Sequence, residues 1–431
     1  MKPALSADLP DLTVTALGAQ GDGIAMCEGQ TLFVSHTVPG DRVRARRLNA
    51  ERAVPVEFLA QGPDRAQPPC PHFGPGKCGG CALQHLADAA YAAWKVESLA
   101  QTLARGGLAG FAMQPLARTP PGARRRAEFL VRVSHGKALV GFHVRASHEA
   151  VDIGPCPVLA PELEVLLPRL RALFATLWKQ AAFDVLATAG ENGIELVLTR
   201  APALDKARRE TLAAFAHETR LARVAVRPGP HATAEIVVQR APLRVSFGGI
   251  AVDLPPGAFL QASREGEAAI GAAVAAGIGP INGKGARRIA DLFAGAGAIS
   301  LPLARDRQVY AADRHAEGIA ALETAARRAG LGPRLRAEAR DLNRRPLVAA
   351  ELDSFEAVIF DPPREGAAEQ AATLAASGVP VVVAVSCNPA TFVRDAQTLI
   401  AGGYRLESVT PIDQFLWSAH LELVGVLRRR R

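Results

Sequence analysis

Residues 381–395 read VVVAVSCNPATFVRD, an apolar, β-branched run that stops abruptly at a Ser-Cys-Asn-Pro step. The segment from Val381 to Val385 predicts a buried strand of a parallel sheet, and Pro389 suits the first turn of a following helix. Cys387 is therefore expected at the carboxyl end of a strand, where open α/β sheets bind their ligands. A thiol beside a helix N-terminus is expected to have a lowered pKa and to act as a nucleophile, although a buried structural cysteine would also fit this position.

The same alternation of strands and helices extends back to residue 251. An Ala-rich helix is predicted over residues 264–278, and the chain closes with two strands at 404–412 and 420–428. Each of five successive predicted strands has a glycine turn or a polar residue at its carboxyl end: 286–293 leads to Gly295 and Gly297, 308–312 to Asp313, 333–339 to Asp341, 357–360 to Asp361, and 381–385 to Cys387. Any one of these residues could cap a helix, but five in a row predict one shared cleft.

The Gly-Ala-Gly turn lies between a predicted strand and a predicted helix, which is the context in which a nucleotide-binding turn is expected. Ser300 stands where the third glycine of a dinucleotide fingerprint would be, and this disfavours NAD. Asp313 follows Gly295 by 18 residues, in the place where an acid binds ribose hydroxyls.

Residues 12–60 alternate apolar and polar side chains in short runs separated by Gly, Asp and Pro turns, and this pattern predicts a small β-barrel. Arg42, Arg44 and Arg46 are spaced to share one face of a strand. Such a face favours RNA binding, although an exposed strand can be this basic without binding anything.

Three cysteines, Cys70, Cys78 and Cys81, follow a Pro-rich linker in a Gly/Pro-rich loop, and Cys156 lies between two prolines farther along the chain. Such a loop buries little by itself, so the thiols predict a metal site. Four thiolates suit either tetrahedral zinc or a four-iron cluster, and the spacing alone does not separate the two. His72 and His85 are other candidate ligands, whereas Cys27 is expected to be a small apolar residue of the barrel.

Between the cysteine loop and residue 250, the sequence predicts a helix over 86–105, a second helix over 163–179 and several strands. The cluster Arg124–Arg126 could contact phosphates or lie in solvent at the start of a strand. No acid–base cluster appears here, so this region is expected to hold substrate.

The net charge of +8 fits a polyanionic partner, although it does not require one. The amino terminus lacks a signal peptide's apolar core, and no run of about 18 apolar residues predicts a membrane span. Six cysteines in this length do not make a disulfide scaffold, and their clustering favours a reducing cytoplasm. Nothing indicates an obligate protein partner, so we expect a monomer that binds RNA.

Together these motifs resemble the RNA 5-methyluridine (uracil-C5) methyltransferase family, and in particular its TRAM-domain, iron–sulfur-containing ribosomal RNA type. The resemblance covers nearly the whole chain, with the GDGIA turn, the cysteines, GAG, DPPR, SCNP and a terminal H-x-E. It implies a multidomain α/β protein: an OB-like TRAM barrel over 8–61, an α+β domain with the four-cysteine cluster site over 62–250, and a Rossmann-like class I methyltransferase with a mostly parallel sheet over 251–431.

The resemblance also implies roles for single residues. Cys387 would be the nucleophile and Glu422 the base. The S-adenosyl-L-methionine site would be lined by Gln261, Phe293, Gly295, Gly297, Asp313, Asp341 and Asp361, and a [4Fe-4S] cluster would be bound by Cys70, Cys78, Cys81 and Cys156. The chain departs from the family pattern at Ala298 and Ser263, each in place of an asparagine, and at 415–417, where Phe-Leu-Trp replaces Phe-Pro.

The chemistry explains why a thiol and a base are both needed. Uracil C5 becomes a nucleophile only when a thiolate adds to C6, and the base must remove the C5 hydrogen before the thiolate can leave. The target base must also leave its stack to be reached. If the family match were set aside, Glu422 could equally be a solvated residue of an edge strand.

Other functions fit the sequence less well. Enzymes that methylate exocyclic amines place an aromatic residue after their D/N-P-P motif, and Arg364 stands there instead. Cytosine-C5 RNA enzymes place a cysteine where Pro363 lies. A non-catalytic RNA-binding protein would not need both Cys387 and Glu422. Transfer-RNA enzymes of the family typically lack the barrel and the cysteines, so ribosomal RNA is the expected substrate.

Overall fold

The computed structural model describes residues 9–230, 232–280 and 288–430. Residue 8, at the start of the predicted barrel domain, and residues 286 and 287, at the start of a predicted strand, lie outside the described residues. In the part that is described, no helix combines the length and the apolar character needed to cross a membrane.

The amino-terminal unit is a closed five-stranded barrel, as the alternating pattern predicts. Its strands pair in the order β1-β2-β3-β5-β4, with bounds β1 Leu12–Leu17, β2 Gly23–Cys27, β3 Gln30–Val34, β4 Arg42–Arg47 and β5 Arg52–Ala60. Cys27 is buried among the apolar side chains of the barrel interior, as expected. Arg42, Arg44 and Arg46 alternate with buried Val43 and Ala45, so the three arginines share the outer face of β4.

The central unit is a seven-stranded mixed sheet in the order β10-β9-β8-β11-β12-β13-β14, packed against two helices. The elements are β8 Arg126–Ser134, β9 Lys137–His143, β10 Ala150–Asp152, α2 Pro161–Leu177, β11 Gln180–Ala189, β12 Ile194–Thr199, α3 Lys206–Glu218, β13 Arg223–Arg227 and β14 Glu235–Gln239. A hairpin follows, made of β15 Leu243–Phe247 and β16 Ile250–Leu254.

The carboxyl-terminal unit is a nine-stranded, mostly parallel sheet with helices around it. Its main path is β19-β18-β17-β20-β21-β23-β22-β6, in which β6 is Ala112–Met113, and β7, Ala117–Arg118, also pairs with β22. The elements are α4 Arg264–Ile278, β17 Arg288–Leu292, α5 Ser300–Leu303, β18 Gln308–Asp313, α6 Ala316–Arg328, β19 Leu335–Ala339, α7 Ala349–Leu352, β20 Ala357–Phe360, α8 Ala368–Ala375, β21 Val381–Ser386, α9 Pro389–Ala401, β22 Tyr404–Asp413 and β23 Glu422–Arg429.

Elements from before the central sheet complete the carboxyl-terminal unit. The helix α1 Asp88–Arg105 packs through Leu99 and Leu103 into the same apolar cluster as α9, and the short strands β6 Ala112–Met113 and β7 Ala117–Arg118 pair with β22. The last strand, β23, is not at an edge, because it pairs antiparallel with both β21 and β22. The carboxyl ends of β17, β18, β20 and β21 therefore meet beside the start of β23.

Candidate active site

The turn that presents Cys387 is built by the Ser-Cys-Asn-Pro step. Ser386, the last residue of β21, accepts a hydrogen bond at its Oγ from the backbone N–H of Asn388 (3.1 Å). Asn388 caps α9, because its Oδ1 accepts from the N–H of Ala390 at 3.1 Å, and Pro389 occupies the first helical position. Cys387 thus stands between a strand end and a helix start, half-buried and not in a disulfide.

The predicted lowering of the Cys387 pKa is wrong for the free protein. Burial, followed by the nearby carboxyl groups of Glu422 and Asp361, raises the pKa of this thiol to about 11, although Arg364 acts to lower it. A helix N-terminus would lower the pKa of Cys387. Desolvation and two acids from distant segments of the chain raise that pKa by more. Cys387 is therefore a neutral thiol at rest.

Glu422 lies beside Cys387 because of strand register. On β21 and β23, Val385 pairs with Val424 and Ser386 with Leu423, so the next position in this register sets Cys387 opposite Glu422. Glu422 is only 5% exposed and belongs to an interior strand, which excludes a solvated edge-strand residue. Burial raises its pKa to about 7, while a hydrogen bond from Gln414 acts in the opposite direction.

A chain of side-chain amides runs between Glu422 and Asp361. Nε2 of Gln414 donates to Oε1 of Glu422 (3.0 Å) and to Oε1 of Gln261 (2.8 Å). Nε2 of Gln261 in turn points at Oδ2 of Asp361, at the long distance of 3.5 Å. Burial and the charge of Glu422 raise the pKa of Asp361 to about 8. The structure therefore brings Cys387, Glu422, Asp361 and Gln261 together, as predicted, and adds Gln414, which the sequence reasoning missed.

The Gly-Ala-Gly turn follows β17 and is held by Asp313 at the end of β18. The Oδ2 of Asp313 accepts from the N–H of Gly295 (3.0 Å), and its Oδ1 accepts from the N–H of His315 (2.8 Å). Phe293 has a φ of 65°, a left-handed conformation that is rare outside glycine and is often found where a ligand is bound. A Cβ at Gly295 would meet no protein atom within 4 Å, so this turn has an open side on which a cofactor could lie.

Asp291, the first residue of the sequence DLFAGAG, is an acid that the sequence reasoning missed. It is 1% exposed, its Oδ2 accepts from Oγ of Ser300, and its Oδ1 is buried without a hydrogen-bond partner among the described residues. Burial, together with Asp361 and Asp313, raises its pKa to about 7. Its position four residues before Gly295, the first residue of the turn, was the available signal. Asp341 lies two residues beyond β19, where its Oδ1 accepts from the N–H of Asn343 at 3.1 Å.

The loop between β22 and β23, residues 414–421, is held in place by side chains of α1. Lys95 and Tyr91 both contact the buried carboxylate of Asp413, at 2.9 Å and 2.7 Å, and Lys95 also donates to the carbonyl of His420. The N–H of Trp417 donates to the hydroxyl of Tyr91 at 2.8 Å. These contacts hold the loop that carries Gln414 at its start and leads into Glu422.

The cysteine loop also touches residues 414–421, named the catalytic loop because they precede the predicted base, Glu422. The carbonyl of Trp417 accepts from the N–H groups of Ala82 (2.8 Å) and Leu83 (3.0 Å), the two residues after Cys81. The guanidinium of Arg124 lies 5.9 Å from the ring centre of Phe415. The predicted metal site and the predicted active site are therefore neighbours.

All four predicted metal-binding thiols line a single cavity of about 280 Å³, together with Arg124 and Arg126. Burial raises the pKa of Cys81 to about 12, and the other three thiols contribute in the same direction. In the described ranges no three His, Cys, Asp or Glu side chains are arranged as they would be to hold a metal ion. The four cysteines are thus brought into one cavity without converging on a point.

The two histidines considered as other ligands each use Nε2 in a hydrogen bond to the backbone, although His72 lines the same cavity as the four cysteines. Nε2 of His85 bonds to the carbonyl of Thr37 (3.1 Å), and Nε2 of His72 accepts from the N–H of Gly154 (2.7 Å). Within the Arg124–Arg126 cluster, Arg125 is not available to a phosphate, because it is 4% exposed and pairs with Glu267 at 2.6 Å. Arg124 and Arg126 line the cysteine cavity.

Known proteins resemble this chain over nearly its whole length. A family model described as tRNA (Uracil-5-)-methyltransferase matches residues 334–431. A Rhizobium meliloti protein named as an uncharacterized RNA methyltransferase is 41% identical over 97% of this chain and 99% of its own length. An Alkalilimnicola ehrlichii protein named 23S rRNA (uracil(1939)-C(5))-methyltransferase RlmD is 34% identical over 97% of this chain and 96% of its own length.

A solved structure has the same architecture. Pyrococcus abyssi tRNA (uracil-54, C5)-methyltransferase, in complex with S-adenosyl-L-homocysteine, superposes with a TM-score of 0.75 at 20% sequence identity. The match covers 97% of this chain and 99% of that one. At this identity the likeness concerns the fold, and it includes the barrel, the central sheet and the mostly parallel sheet.

Proposed function

The chain belongs to the RNA methyltransferase family that methylates C5 of uracil with S-adenosylmethionine, and from this premise we propose that its substrate is a uridine of ribosomal RNA. The relative from Alkalilimnicola ehrlichii supports this choice, because its name specifies 23S ribosomal RNA and the similarity spans 97% of this chain. Transfer RNA is the second candidate substrate. A protein named for transfer RNA has the same architecture, so the barrel does not by itself select the RNA.

The observation that carries the proposed mechanism is the register that sets Cys387 opposite Glu422, with Asp361 close by. We assign Cys387 as the nucleophile: its thiol gives up its proton to solvent, Sγ bonds to C6 of the uracil, and the electron pair displaced from the C5–C6 double bond makes C5 nucleophilic. The raised pKa of Cys387 means that only a small fraction of the thiol is ionised near neutral pH in the free protein.

Glu422 is assigned as the base. After methyl transfer, C5 carries both a methyl group and a hydrogen, and Glu422 accepts that proton. The electrons of the broken C5–H bond restore the C5–C6 double bond, and Sγ leaves C6. A carboxyl group with a pKa of about 7 is suited to this work near neutral pH, because it is partly ionised and still basic.

The cofactor is expected on the open side of the Gly295 turn, with Asp313, Phe293, Gln261 and Asp361 around it. When bound there, S-adenosylmethionine supplies the methyl group. The chain's part is to hold it: Asp313 fixes the turn through Gly295, and the absence of a side chain at Gly295 leaves the approach free. Asp341 and Gly297 are kept as proposed neighbours of this site.

Cys70, Cys78, Cys81 and Cys156 are proposed to hold an iron–sulfur cluster. The donor set fits, because four thiols line one cavity and burial raises the pKa of Cys78, Cys81 and Cys156, so that these three would ionise when a positive group is bound. Four thiolates suit a four-iron cluster as well as a zinc ion, and the resemblance of the sequence motifs to the iron–sulfur type of the family favours the cluster. The cluster's role would be structural, in ordering the loop that contacts Trp417.

The choice of RNA is tested by mapping 5-methyluridine in the RNA of cells that lack this protein. We expect one uridine of the large ribosomal RNA to lose its methyl group, and expression of the wild-type chain should restore it. Loss of the modification from transfer RNA, with ribosomal RNA unchanged, would show that the substrate proposal is wrong.

The two catalytic assignments predict failure at different steps. Cys387→Ala should form no covalent RNA complex and transfer no methyl group, because C5 is never activated. Glu422→Gln should still add and methylate, and should therefore accumulate a protein–RNA adduct that already carries the methyl group. A denaturing gel with methyl-labelled cofactor measures both results, and 5-fluorouridine RNA trapped on the wild-type protein marks the adduct's position.

A labelled adduct on Cys387→Ala would refute the nucleophile. Normal turnover by Glu422→Gln would refute the base and leave Asp361 as the candidate.

A further inference from the structure

Gln414 is the buried amide that connects the two acids of the active site, and the sequence motifs assign it no role. Its side chain is 4% exposed and makes three hydrogen bonds. Nε2 donates to Oε1 of Glu422 (3.0 Å) and Oε1 of Gln261 (2.8 Å), and Oε1 accepts from the N–H of Ala262 (3.1 Å). Both amide hydrogens and the amide oxygen are therefore used.

These partners fix which way the amide faces. The N–H of Ala262 is a donor, so the atom of Gln414 that it meets must be the oxygen. The nitrogen is thereby directed at Glu422. Gln261 is oriented in turn, since its oxygen receives the second hydrogen of Gln414 and its nitrogen faces Asp361.

Packing leaves the Gln414 side chain little room to move. A Cβ on Gly266 of α4 would come within 2.6 Å of Cβ of Gln414 and 3.0 Å of its Oε1. At the other end, Asp413 is fixed by Lys95 and Tyr91. The amide is thus held between α4 and the start of the catalytic loop.

The two acids at the ends of the amide chain receive hydrogen bonds of different length. Glu422 receives a direct hydrogen bond of 3.0 Å, and this is the only hydrogen bond to its side chain among the described residues. Its Oε2 is therefore free to accept a proton. Asp361 receives only the 3.5 Å contact from Gln261. A donated N–H favours the ionised form of a carboxyl group, so the arrangement favours the charge on Glu422.

We propose that Gln414 is a positioning residue that makes Glu422, and not Asp361, the acceptor of the C5 proton. The proposal rests on the function proposed above, in which Glu422 is the base. In the step concerned, the C5–H bond breaks and the proton goes to Oε2 of Glu422. The bonding pair forms the C5–C6 double bond, and the C6–Sγ pair leaves with Cys387.

In the described part of the chain, few other charged groups lie near Glu422. Cys387 and Asp361 face it from the ends of β21 and β20, and Arg364 and His420 lie near that pair. From α4, Glu267 is neutralised by its ion pair with Arg125. The pKa values of about 7 for Glu422 and about 8 for Asp361 agree with the charge being on Glu422.

The test is a single-turnover experiment on Gln414→Met, which keeps the length of the side chain and removes both donors. Total RNA from cells lacking this protein and methyl-labelled S-adenosylmethionine are mixed with enzyme, and the labelled adduct is followed on denaturing gels from pH 5.5 to 9. Adduct formation should change little. Adduct decay should slow about tenfold near neutral pH. The acid limb of its pH profile, where the decay rate falls as the pH drops, should move up by about one pH unit. This is the effect expected from losing one hydrogen bond to a charged group.

The direction of the shift follows from the base's role. Decay requires ionised Glu422, so the rate falls as the pH drops through the pKa of Glu422, and a higher pKa moves that fall to higher pH. A merely structural role for Gln414 would slow adduct formation and decay alike and leave the pH midpoint unchanged. That result would overturn the proposal.

Gln370→Met is the matched control. Gln370 is also a buried glutamine, 1% exposed, and it bonds to the backbone of Leu347 away from the active site. It should lower the unfolding temperature as Gln414→Met does, with the pH profile of decay unchanged. A pH shift in the control would also overturn the proposal.

Failure of the proposal and failure of the proposed base are distinguishable. If Glu422→Gln turns over normally, Glu422 is not the base. If Glu422→Gln accumulates methylated adduct while Gln414→Met has the wild-type pH profile, the base stands and the role of Gln414 is wrong. Gln414→Asn serves if the methionine variant does not fold, because its shorter amide keeps the donors but cannot reach both partners, and the same limb should shift.

Discussion

At the scale of single residues, the thiol of Cys387 is governed by side chains that are distant in the sequence. Its turn has the strand end and helix start that the SCNP motif predicts, yet burial, followed by the carboxyl groups of Glu422 and Asp361, raises its pKa and the helix terminus does not compensate. The thiol of the proposed nucleophile is consequently protonated near neutral pH, which limits side reactions when no RNA is bound.

The raised pKa of Cys387 can be measured directly. Iodoacetamide reacts with thiolates, so alkylation of Cys387 should rise toward pH 11 and be slow near pH 8.5, where an ordinary thiol reacts well. A synthetic peptide of residues 381–395 provides the matched control, and it should titrate near 8.5. Peptide mass spectrometry gives the extent of alkylation.

Glu422→Gln removes one of the charges that raise the pKa of Cys387. Alkylation of Cys387 should therefore begin to rise at a lower pH in that variant. A wild-type profile that coincides with that of the peptide would contradict the assignment of a raised pKa.

The sequence predicted single residues best where local spacing carries the information. The SCNP turn, the Gly-Ala-Gly turn and the acid at the end of the next strand are all where they were expected. Gln414 was missed because nothing in its neighbourhood of the sequence indicates that it will face Glu422. Lys95 was missed for the same reason: it sits in an amphipathic helix but is 1% exposed and ion-paired.

At the scale of elements, the barrel is joined to the rest of the protein through buried contacts. Val38 packs with Leu83, Leu86, Tyr91, Trp94 and Leu416, and Asp22 pairs with Arg145 of the central unit at 2.7 Å. Deleting residues 1–60 would therefore expose apolar surface beside the catalytic loop. Single charges on the outer face of β4 are the cleaner way to test RNA binding.

Arg46 is the best placed of these charges, because Arg42 and Arg44 both lie near Asp11 and Arg44 also pairs with Glu57 at 2.8 Å. We expect Arg46→Gln to weaken binding of RNA and to reduce the slope of log affinity against log salt by about one. Filter binding at a series of salt concentrations measures both.

Lys206→Gln is the control for charge alone, since the Lys206 side chain is 91% exposed on α3 of the central unit. An Arg46→Gln slope equal to that of the wild type would show that this face of the barrel does not contact RNA.

At the scale of the whole molecule, the sequence predicted three units and their order, and the closed barrel and the mostly parallel sheet are as expected. It did not predict that α1, β6 and β7 would complete the carboxyl-terminal sheet, because the pairing of Ala112 with Ser408 depends on tertiary packing. Nor did strand patterns predict that the last strand would be interior. Helix α4, by contrast, has the predicted bounds, since Ser263 caps it through the N–H of Gly266.

The cysteine cavity also brings together segments that are distant in sequence. The iron–sulfur cluster proposed for this cavity gives the clearest prediction at the scale of the whole molecule. Protein purified without oxygen should be brown and hold about four irons per chain. Cys156→Ser should lose the iron, because it removes one of the four thiols that line the cavity. Metal analysis and the visible absorption spectrum are the measurements.

Cys27→Ser is the matched control, since Cys27 is buried in the barrel, away from the cavity, and this variant should keep its iron. Stoichiometric zinc without iron in the anaerobic preparation would contradict the cluster.

The interior position of β23 has a consequence for how the protein is made. The strand Glu422–Arg429 is synthesised after both β21 and β22, yet it separates them. Until it emerges from the ribosome, both neighbours present unpaired edges and the chain has no proposed base. A chain interrupted before residue 422 would be aggregation-prone and would lack the proposed base, so synthesis of β23 links the stability of the sheet to catalytic competence.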